Sequence, residues 1–394
     1  MTFGIYIQVP FCQTKCTYCN IHTGVVSPSR YPSYAEAVCR EIAEFENLPG
    51  RAASAAPAAI DTVYFGGGTP SLLDPAALAR ILDALRSRFR WYAGEVTLEA
   101  DPETITAEKA DAWARAGFNR ISLGAQSFND RELQAAGRMH RAADISRAVN
   151  ILRAAGLPNI SIDLIAGLAH QTRDGWEESV TELLRLRPEH ASVYLLEIDE
   201  GSRLGKESLA GGSRYSAGAV PSDDAIAESY ASVCARLKSA GYEHYEISNW
   251  ALPGRRSRHN LKYWRREPYL GFGAGAHSFA HAENGPTRWA NVHDSARYVA
   301  MIEQGLSPRE QIEAVSAEQA FDEELFLGLR QLDGIDMPAI EQKYGNALAG
   351  RLADTRRRID DLRANGLVEF DGARLRLVPD RIPISNEVFV ELLG

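Results

Sequence analysis

Three absences narrow the class of this protein. No stretch of about 18 apolar residues occurs, so the sequence predicts no transmembrane helix. The first residues, Met1–Gly4, lack the basic and apolar segments of a secretory signal. Acidic residues outnumber basic ones by 52 to 43, and the net charge of −9 argues against a protein that coats nucleic acid. We therefore expect a cytoplasmic protein with no nucleic-acid partner, which associates with a membrane only peripherally.

Cysteine is scarce, and its placement is informative. Of the five cysteines, three lie close together after an apolar run, as Cys12, Cys16 and Cys19. Cytoplasmic thiols stay reduced, so clustered cysteines there more often bind metal than form disulfides. An iron–sulfur cluster normally takes four cysteines, and three would leave one iron open to a small molecule. Cys39 and Cys234 lie singly in helical patterns, and we predict that both are buried.

The same spacing permits a structural zinc site. His22 follows closely enough to complete a tetrahedral set with the three cysteines. The glycine run Gly66–Gly68 disfavours this alternative, because a structural zinc ion needs no polar ligand cradle beside it. A zinc-stabilised barrel with another substrate is therefore the remote alternative.

Short apolar runs alternate with helical patterns up to about residue 240. Six runs rich in Val, Ile and Tyr predict strands at residues 4–9, 61–65, 95–99, 120–123, 159–164 and 191–196. Helical patterns follow at residues 34–48, 75–91, 107–116, 143–155, 175–186 and 224–240. Six strand–helix units in series predict an α/β protein with a partial (β/α)6 barrel, and a doubly wound sheet is the second choice.

The alternation stops beyond the barrel, which we assign to residues 1–245. Residues 48–59 and 201–223 are rich in Ala, Pro, Gly or Ser and are expected to be flexible surface insertions. Residues 246–315 form a basic, aromatic linker. Residues 316–394 predict a small winged-helix-like domain, with helices at 318–332, 337–344 and 347–365 and a hairpin that turns at Asp371-Gly372.

Polar residues and glycines recur where the predicted strands end. The cysteines follow the first strand, Gly66–Pro70 follows the second, and Glu99 and Asp101 end the third. Gln126 follows the fourth strand, and Asp163 lies near the end of the fifth. Functional groups of parallel barrels gather at the carboxyl ends of the strands, so we expect one shared site. Glu99 and Asp163 would be costly to bury alone, so they should bind a ligand or pair with arginines.

These motifs together resemble a known family. The signature Tyr6-x3-Pro10-Phe11-Cys12-x3-Cys16-x-Tyr18-Cys19, with Gly66-Gly67-Gly68-Thr69-Pro70, is similar to that of radical S-adenosylmethionine (SAM) proteins. Further motifs resemble the oxygen-independent coproporphyrinogen III oxidase group, and they are Leu123–Phe128, Gly137-Arg138-x-His140, Ile162–Leu168 and Asn386-x-Val388-Phe389. The similarity covers nearly the whole chain.

The resemblance implies a [4Fe-4S] cluster on Cys12, Cys16 and Cys19. SAM would bind at the open iron and be split reductively to methionine and a 5′-deoxyadenosyl radical. The resemblance also implies a set of residues that line the SAM region: Tyr6, Tyr18, Gly67, Gly68, Thr69, Glu99, Gln126, Arg138 and Asp163. Arg138 is chemically suited to a carboxylate.

Two departures separate this chain from the true oxidases of that group. Those proteins carry a further cysteine where this chain has Ile21, and an N-terminal extension ahead of the first strand. The segment Arg258–Trp264 instead resembles the H-N-x-x-Y-W motif of the HemW-like haem chaperone branch, in which the histidine is taken to bind haem. We therefore expect His259 to ligate haem iron, with His277 and His281 as competing ligands.

The resemblance thus implies a haem-binding chaperone on a radical SAM scaffold. It would pass haem to acceptor haemoproteins, including ones at the membrane, and a homodimer is compatible with it. The alternative is an enzyme, an oxygen-independent coproporphyrinogen III dehydrogenase that converts propionates to vinyl groups with loss of carbon dioxide. In either case the basic residues between positions 255 and 266 suit the propionates of a haem or porphyrin ligand.

Overall fold

The computed structural model describes residues 2–45, 58–282 and 285–393, so most of the predicted insertion 48–59 lies outside the described residues. Six strands form the centre: β1 Thr2–Val9, β2 Ala59–Gly67, β3 Arg90–Ala100, β4 Arg120–Gln126, β5 Ile160–Ala166 and β6 His190–Leu195. The helices of this part are α1 Tyr31–Ala43, α2 Pro75–Arg88, α3 Ala107–Ala116, α4 Asp130–Ala135, α5 Ala142–Ala154, α6 Arg173–Leu186, α7 Arg203–Leu209 and α8 Asp223–Ser239.

The six central strands lie side by side in chain order, and every neighbouring pair is parallel. A doubly wound sheet would reverse its strand order at a switch point, and this sheet does not. The predicted α/β class with a partial six-stranded barrel is therefore confirmed. Alternating helices supply the outer layer, as parallel connections require.

Both edges of the barrel carry further strands, which complete a 12-stranded sheet. Beyond β6 lie β8 and then β7, and beyond β1 lie β9 to β12 in succession. The strands are β7 Glu243–Glu246, β8 Asn249–Ala251, β9 Tyr269–Phe272, β10 His277–Ala282, β11 Gly285–Asn291 and β12 Arg309–Ala314. Two helices belong to this part, α9 Arg258–Trp264 and α10 Ser295–Glu303.

Local signals in the sequence position the elements. The side chain of Asp74 caps α2 by accepting a hydrogen bond from the backbone N–H of Ala76, with Pro75 as the first helical residue. Gly117 ends α3 with a left-handed φ of 103°, which glycine adopts without steric cost. On β1, Ile5 and Ile7 are fully buried, and they anchor the strand that leads to the cysteine loop.

Three predictions need correction. The second helix ends at Arg88 rather than at residue 91, because residues from Arg90 onward pair with β2 as β3. The predicted insertion 201–223 contains α7, and Leu204 in it is buried, with its backbone N–H donating to the Thr17 carbonyl over 2.8 Å. Cys39 and Cys234, predicted to be buried, are half-buried against the main core.

The C-terminal unit has its own apolar core. Its helices are α11 Ala317–Gly328, α12 Met337–Tyr344, α13 Ala349–Ala364 and α14 Ser385–Leu393, and its sheet contains β13 Ile335–Asp336, β14 Val368–Phe370 and β15 Arg374–Leu377. The predicted hairpin forms, but Phe370 pairs with Leu375 and the Asp371 N–H donates to Arg374, so its turn is Gly372-Ala373, one residue later than predicted. Asp371 Oδ1 accepts from the backbone N–H of Ala373 over 2.9 Å. Phe279 of β10 also packs in this core, so the C-terminal unit packs against the extended sheet. The domain boundaries stay predictions.

Among the described residues, no helix is both long enough and apolar enough to cross a bilayer.

Candidate functional site

A cavity of about 560 Å³ opens at the carboxyl ends of the parallel strands. Its size is typical of a small-molecule or cofactor site. Eleven of the thirteen predicted site residues line it: Cys12, Cys16, Cys19, Tyr18, Gly67, Gly68, Thr69, Glu99, Gln126, Arg138 and Asp163. The strand-end motifs therefore converge on one cavity, as expected. Tyr6 and His259 lie outside its lining.

Backbone hydrogen bonds fix the cysteine loop after β1. The N–H of Cys12 donates to the Gly24 carbonyl over 3.1 Å, and the N–H of Gly24 returns a bond to Pro10 over 2.9 Å. The N–H of Thr17 donates to Ala136 over 3.0 Å, which ties the loop to the end of α4. All three cysteines are half-buried and reach the same cavity, so their thiols suit the three protein ligands of an iron–sulfur cluster.

The glycine loop after β2 packs directly against the cysteine loop. The N–H of Gly68 donates to Val9 over 2.8 Å, and the N–H of Thr69 donates to Phe11 over 2.7 Å. A Cβ atom on Gly68 would lie 2.4 Å from the carbonyl oxygen of Phe11, closer than atoms can approach. Gly67 has φ of +107°, in the left-handed region that favours glycine. Both glycines are therefore required for the two loops to meet.

Glu99 presents a carboxylate to the cavity from the end of β3. Its Oε1 atom accepts from the Tyr64 hydroxyl over 2.8 Å, and its Oε2 atom accepts from the Gly67 N–H over 3.1 Å. Burial raises the pKa of Glu99 to about 7, with Asp163 adding to the rise. The group can therefore accept hydrogen bonds from ligand hydroxyl or amino groups and is close to half-protonated at neutral pH.

Asp163 accepts hydrogen bonds from serine hydroxyl groups. Ser122 donates to its Oδ2 atom over 3.3 Å, and Ser161 donates to its Oδ1 atom over 3.2 Å. Burial raises the pKa of Asp163, and a hydrogen bond from Ser192, the charge of Arg120 and these two serines oppose the rise. The side chain thus stays a hydrogen-bonding wall of the cavity.

Asp101, noted from the sequence at the end of the third strand, is a site residue that the predicted SAM-region set omitted. It forms an ion pair with Arg138 and accepts from the Thr69 hydroxyl over 3.0 Å. Arg138 also donates to the Gly124 carbonyl over 2.8 Å and lies 3.5 Å, through Nη1, from the Cys16 sulfur. The signal for Asp101 was present, because the two-residue period of β3 puts it on the same face as Glu99.

Gln126 offers an unsatisfied acceptor to the cavity. Its Oε1 atom is buried and has no hydrogen-bond partner, and its backbone is in the left-handed region with φ of 65°. Such strain and such an orphaned atom are costly in a folded protein unless a ligand uses them. A bound ligand with an N–H or O–H donor, such as SAM, would supply the hydrogen bond that Gln126 Oε1 lacks.

His259 lies inside the barrel, with 1% of its surface exposed. Its Nδ1 atom is 2.9 Å from the Thr62 hydroxyl and its Nε2 atom is 2.8 Å from the Tyr263 hydroxyl. Its ring stacks with Tyr64 at 5.2 Å and with Tyr6 at 6.4 Å between centroids, so Tyr6 belongs to this aromatic group. In this arrangement both ring nitrogens are engaged, and neither faces the cavity lining.

Three of the six cations between positions 255 and 266 form ion pairs with neighbouring carboxylates. Arg256 pairs with Glu243 and Asp333, and Lys262 pairs with Asp61 and Glu267. A third cation of the segment, at position 266, is bound by two glutamates of α11. These three cations stabilise the position of the linker and are already paired, so they are not free to bind propionates.

The opposite wall of the cavity was not predicted from the sequence. It is built by the turn between β7 and β8 and by the C-terminal unit, and it contains Ile247, Ser248, Arg330, Ile382, Pro383, Ser385 and Asn386. Only Asn386 stood in a motif that the sequence singled out. These residues are far apart in the sequence, so no local sequence pattern indicates that they share one wall.

The zinc alternative gains no support. The ring of His22 packs edge-to-face on His293 with centroids 4.9 Å apart, and the cavity lining that includes the three cysteines does not include His22.

The site can now be compared with known proteins. Residues 6–183 match the radical SAM superfamily, and residues 315–379 match the HemN C-terminal domain. The chain is 33% identical over 391 residues to "Heme chaperone HemW" of Bacillus subtilis (strain 168), covering 99% of this chain and 98% of that protein. The chain belongs to the HemW family. This confirms the resemblance seen in the motifs.

Other HemW proteins match equally well along their length. "Heme chaperone HemW" of Mycobacterium tuberculosis (strain ATCC 25618 / H37Rv) is 33% identical over 399 residues, 100% of this chain and 95% of that protein. The solved structure of coproporphyrinogen III oxidase (HemN) from Escherichia coli, a radical SAM enzyme, has a TM-score of 0.83 at 21% identity, covering 99% of this chain and 90% of that chain. At that identity the likeness establishes the fold. As a radical SAM superfamily member, the HemW family implies a [4Fe-4S] cluster and SAM.

Proposed function

We propose that this protein is a haem-binding chaperone on a radical SAM scaffold, which delivers haem to acceptor haemoproteins. The observation that carries the proposal is full-length similarity, at 33% identity, to proteins named as haem chaperones. The alternative, radical decarboxylation of a porphyrinogen, rests on likeness of fold to HemN. The chain also has Ile21 where the resembled oxidases carry a further cysteine.

Cys12, Cys16 and Cys19 would hold the cluster, because they share one cavity and lie half-buried in a backbone-fixed loop. Bound there, the cluster would supply one electron. Arg138 lies 3.5 Å, through Nη1, from the Cys16 sulfur, so a positive charge would stand beside the cluster.

The strand-end residues would hold SAM beside the cluster. Glu99 accepts hydrogen bonds from hydroxyl or amino groups, and Gln126 brings its orphaned carbonyl oxygen. The remaining predicted contacts fall in the same cavity: Tyr18, Gly67, Gly68, Thr69, Arg138 and Asp163. Tyr6 would act indirectly, through its stacking on Tyr64, whose hydroxyl holds Glu99.

Haem iron would be ligated by histidine. His259 stays the proposed ligand from the family motif, and its use requires that its bond to Thr62 or to Tyr263 breaks. The competing residues His277 and His281 are both exposed on β10 and need no such opening. The acceptors would be haemoproteins, including membrane-bound ones, and the protein would work in the cytoplasm or peripherally at a membrane, alone or as a homodimer.

A haem titration of the anaerobically reconstituted protein tests the proposal. We expect a saturable shift of the Soret band in the wild type. The variants His259→Ala, His277→Ala and His281→Ala identify the ligand, and circular dichroism with thermal unfolding separates lost binding from lost folding. A wild type that binds no haem but converts coproporphyrinogen with SAM and a reductant would overturn the chaperone proposal in favour of the enzyme.

A further inference from the structure

Arg330 is a cation on the unpredicted wall of the cavity. It follows α11, and its carbonyl oxygen accepts a hydrogen bond from the Ile247 N–H over 3.0 Å, which attaches this point of the C-terminal unit to the turn after β7. Its Nε atom is buried without a hydrogen-bond partner. Among the ion pairs of the described residues, which extend to 4.0 Å between nitrogen and oxygen, Arg330 has none.

Two aromatic rings hold this guanidinium in place. Its central carbon lies 4.7 Å from the ring centroid of Trp264 and 5.9 Å from that of Phe326. Stacking on aromatic faces orients a guanidinium and leaves its N–H groups free for a planar anion. Trp264 is the last residue of the H-N-x-x-Y-W motif. The motif therefore contacts the cavity lining through the stacking of Trp264 on Arg330, whereas its histidine, His259, is not part of that lining.

The charge of Arg330 is not cancelled by the nearby acid. Glu246 is 1% exposed, its Oε1 atom accepts from Asn249 and from the Ser248 N–H, and its Oε2 atom is buried without a hydrogen-bond partner among the described residues. No ion pair within 4.0 Å joins this carboxylate to Arg330. Burial raises the pKa of Glu246 to about 7, although Arg330 opposes that rise. A half-buried cation that lines an open cavity and forms no ion pair within the described residues is complementary to a ligand carboxylate.

We propose that Arg330, oriented by Trp264, binds a carboxylate side chain of the tetrapyrrole in this cavity. The inference rests on the proposed function, because it takes haem as the ligand. SAM carries a carboxylate too, but Arg138 lies beside Cys16 on the cluster side, where SAM is expected. Arg330 belongs to the C-terminal unit and lies beside β7, the edge strand beyond β6, whereas the cysteine loop follows β1.

The test compares haem with haem dimethyl ester, which lacks free carboxylates, in titrations of the reconstituted full chain. We expect the wild type to prefer the free acid by about tenfold, as one charge-assisted hydrogen bond can give. Arg330→Gln should remove most of this preference, and Arg330→Lys should keep part of it. The control Arg357→Gln alters an exposed arginine of the C-terminal unit outside the cavity lining and should behave as the wild type.

The outcomes separate this inference from the function on which it rests. Haem binding with the same preference in Arg330→Gln would overturn the role of Arg330 and leave the chaperone proposal standing. A loss of SAM affinity in Arg330→Gln, with the haem preference intact, would assign the residue to SAM instead. Absence of tetrapyrrole binding in the wild type would overturn both. Thermal unfolding of each variant verifies that it is folded.

Discussion

The Nε2 atom of His259 lies 2.8 Å from the hydroxyl oxygen of Tyr263, one turn further along α9. Burial, with Lys262 and Arg120 adding to it, lowers the pKa of His259 to about 3, so the ring is neutral at physiological pH. A neutral imidazole has one donor and one acceptor nitrogen, and both are satisfied here by Tyr263 and Thr62. Ligation of iron by this residue therefore competes with a bond that stabilises the barrel.

Tyr263→Phe should strengthen haem binding if His259 is the ligand. The change removes the hydroxyl that occupies Nε2 and keeps the ring, so binding no longer has to break that bond. A net hydrogen bond is worth about 1 kcal/mol, which corresponds to roughly fivefold in affinity. Haem titration measures the change. Tyr269→Phe is the matched control, because Tyr269 packs edge-on against Tyr263, with ring centroids 4.7 Å apart.

Unchanged haem affinity in Tyr263→Phe would argue that iron is bound elsewhere. His277 and His281 would then be the residues to replace, and their exposure means that alanine should cost little stability. Both Tyr263→Phe and its control should lose no more than about 1 kcal/mol in free energy of unfolding, the usual cost of one hydrogen bond.

Glu41 should make stability fall as pH rises towards neutrality. The carboxylate is buried on α1 and accepts from the Tyr298 hydroxyl, from the Asn291 amide over 2.7 Å, and from the Gly273 N–H over 2.8 Å. Burial raises its pKa from 4.5 to about 7. A raised folded-state pKa means that the stabilisation is complete below pH 4.5 and is lost as pH rises through 7, by up to about 3 kcal/mol.

Urea unfolding of Glu41→Gln between pH 4.5 and 8 measures this contribution. The neutral amide should flatten the pH dependence relative to the wild type, although Glu99 and Glu246, which also have pKa values raised to about 7, keep part of the slope. Glu36→Gln changes an exposed residue of the same helix and should leave the slope intact. An unaltered slope in Glu41→Gln would contradict the assignment.

Asp101→Asn should destabilise the protein by about 2–4 kcal/mol, because it leaves Arg138, whose side chain is 8% exposed, without its carboxylate partner. Replacing both residues, as Asp101→Asn with Arg138→Leu, should cost less than the sum of the single changes. Asp83→Asn is the control, since its pair with Arg86 is exposed and should contribute less than about 1 kcal/mol. Additive costs in the double variant would show that the two side chains are not coupled.

The parts of this molecule that could be predicted from the sequence are those set by local patterns. The two-residue and 3.6-residue periods predict the barrel, and the rule that groups gather at strand carboxyl ends brings Glu99, Gln126 and Asp163 to the cysteines. Contacts between residues far apart in the sequence could not be predicted. The insertion of His259 beside Thr62 and the approach of Arg330 to the cavity depend on packing between elements far apart in the chain.

Gly68→Ala should prevent the glycine loop from seating against the cysteine loop. The new Cβ would lie 2.4 Å from the Phe11 carbonyl oxygen and 2.9 Å from its nitrogen, and backbone atoms cannot move aside as a flexible side chain can. Since Phe11 precedes Cys12, the displacement should reach the first thiol. Iron and sulfide content after anaerobic reconstitution should fall severalfold. Gly24→Ala is the matched control, because it lies in the same loop, bonded to Cys12, yet its added Cβ meets no atom of the described residues within 4 Å. Full cluster content in Gly68→Ala would mean that the loops separate without cost and that the glycine serves the ligand rather than the packing.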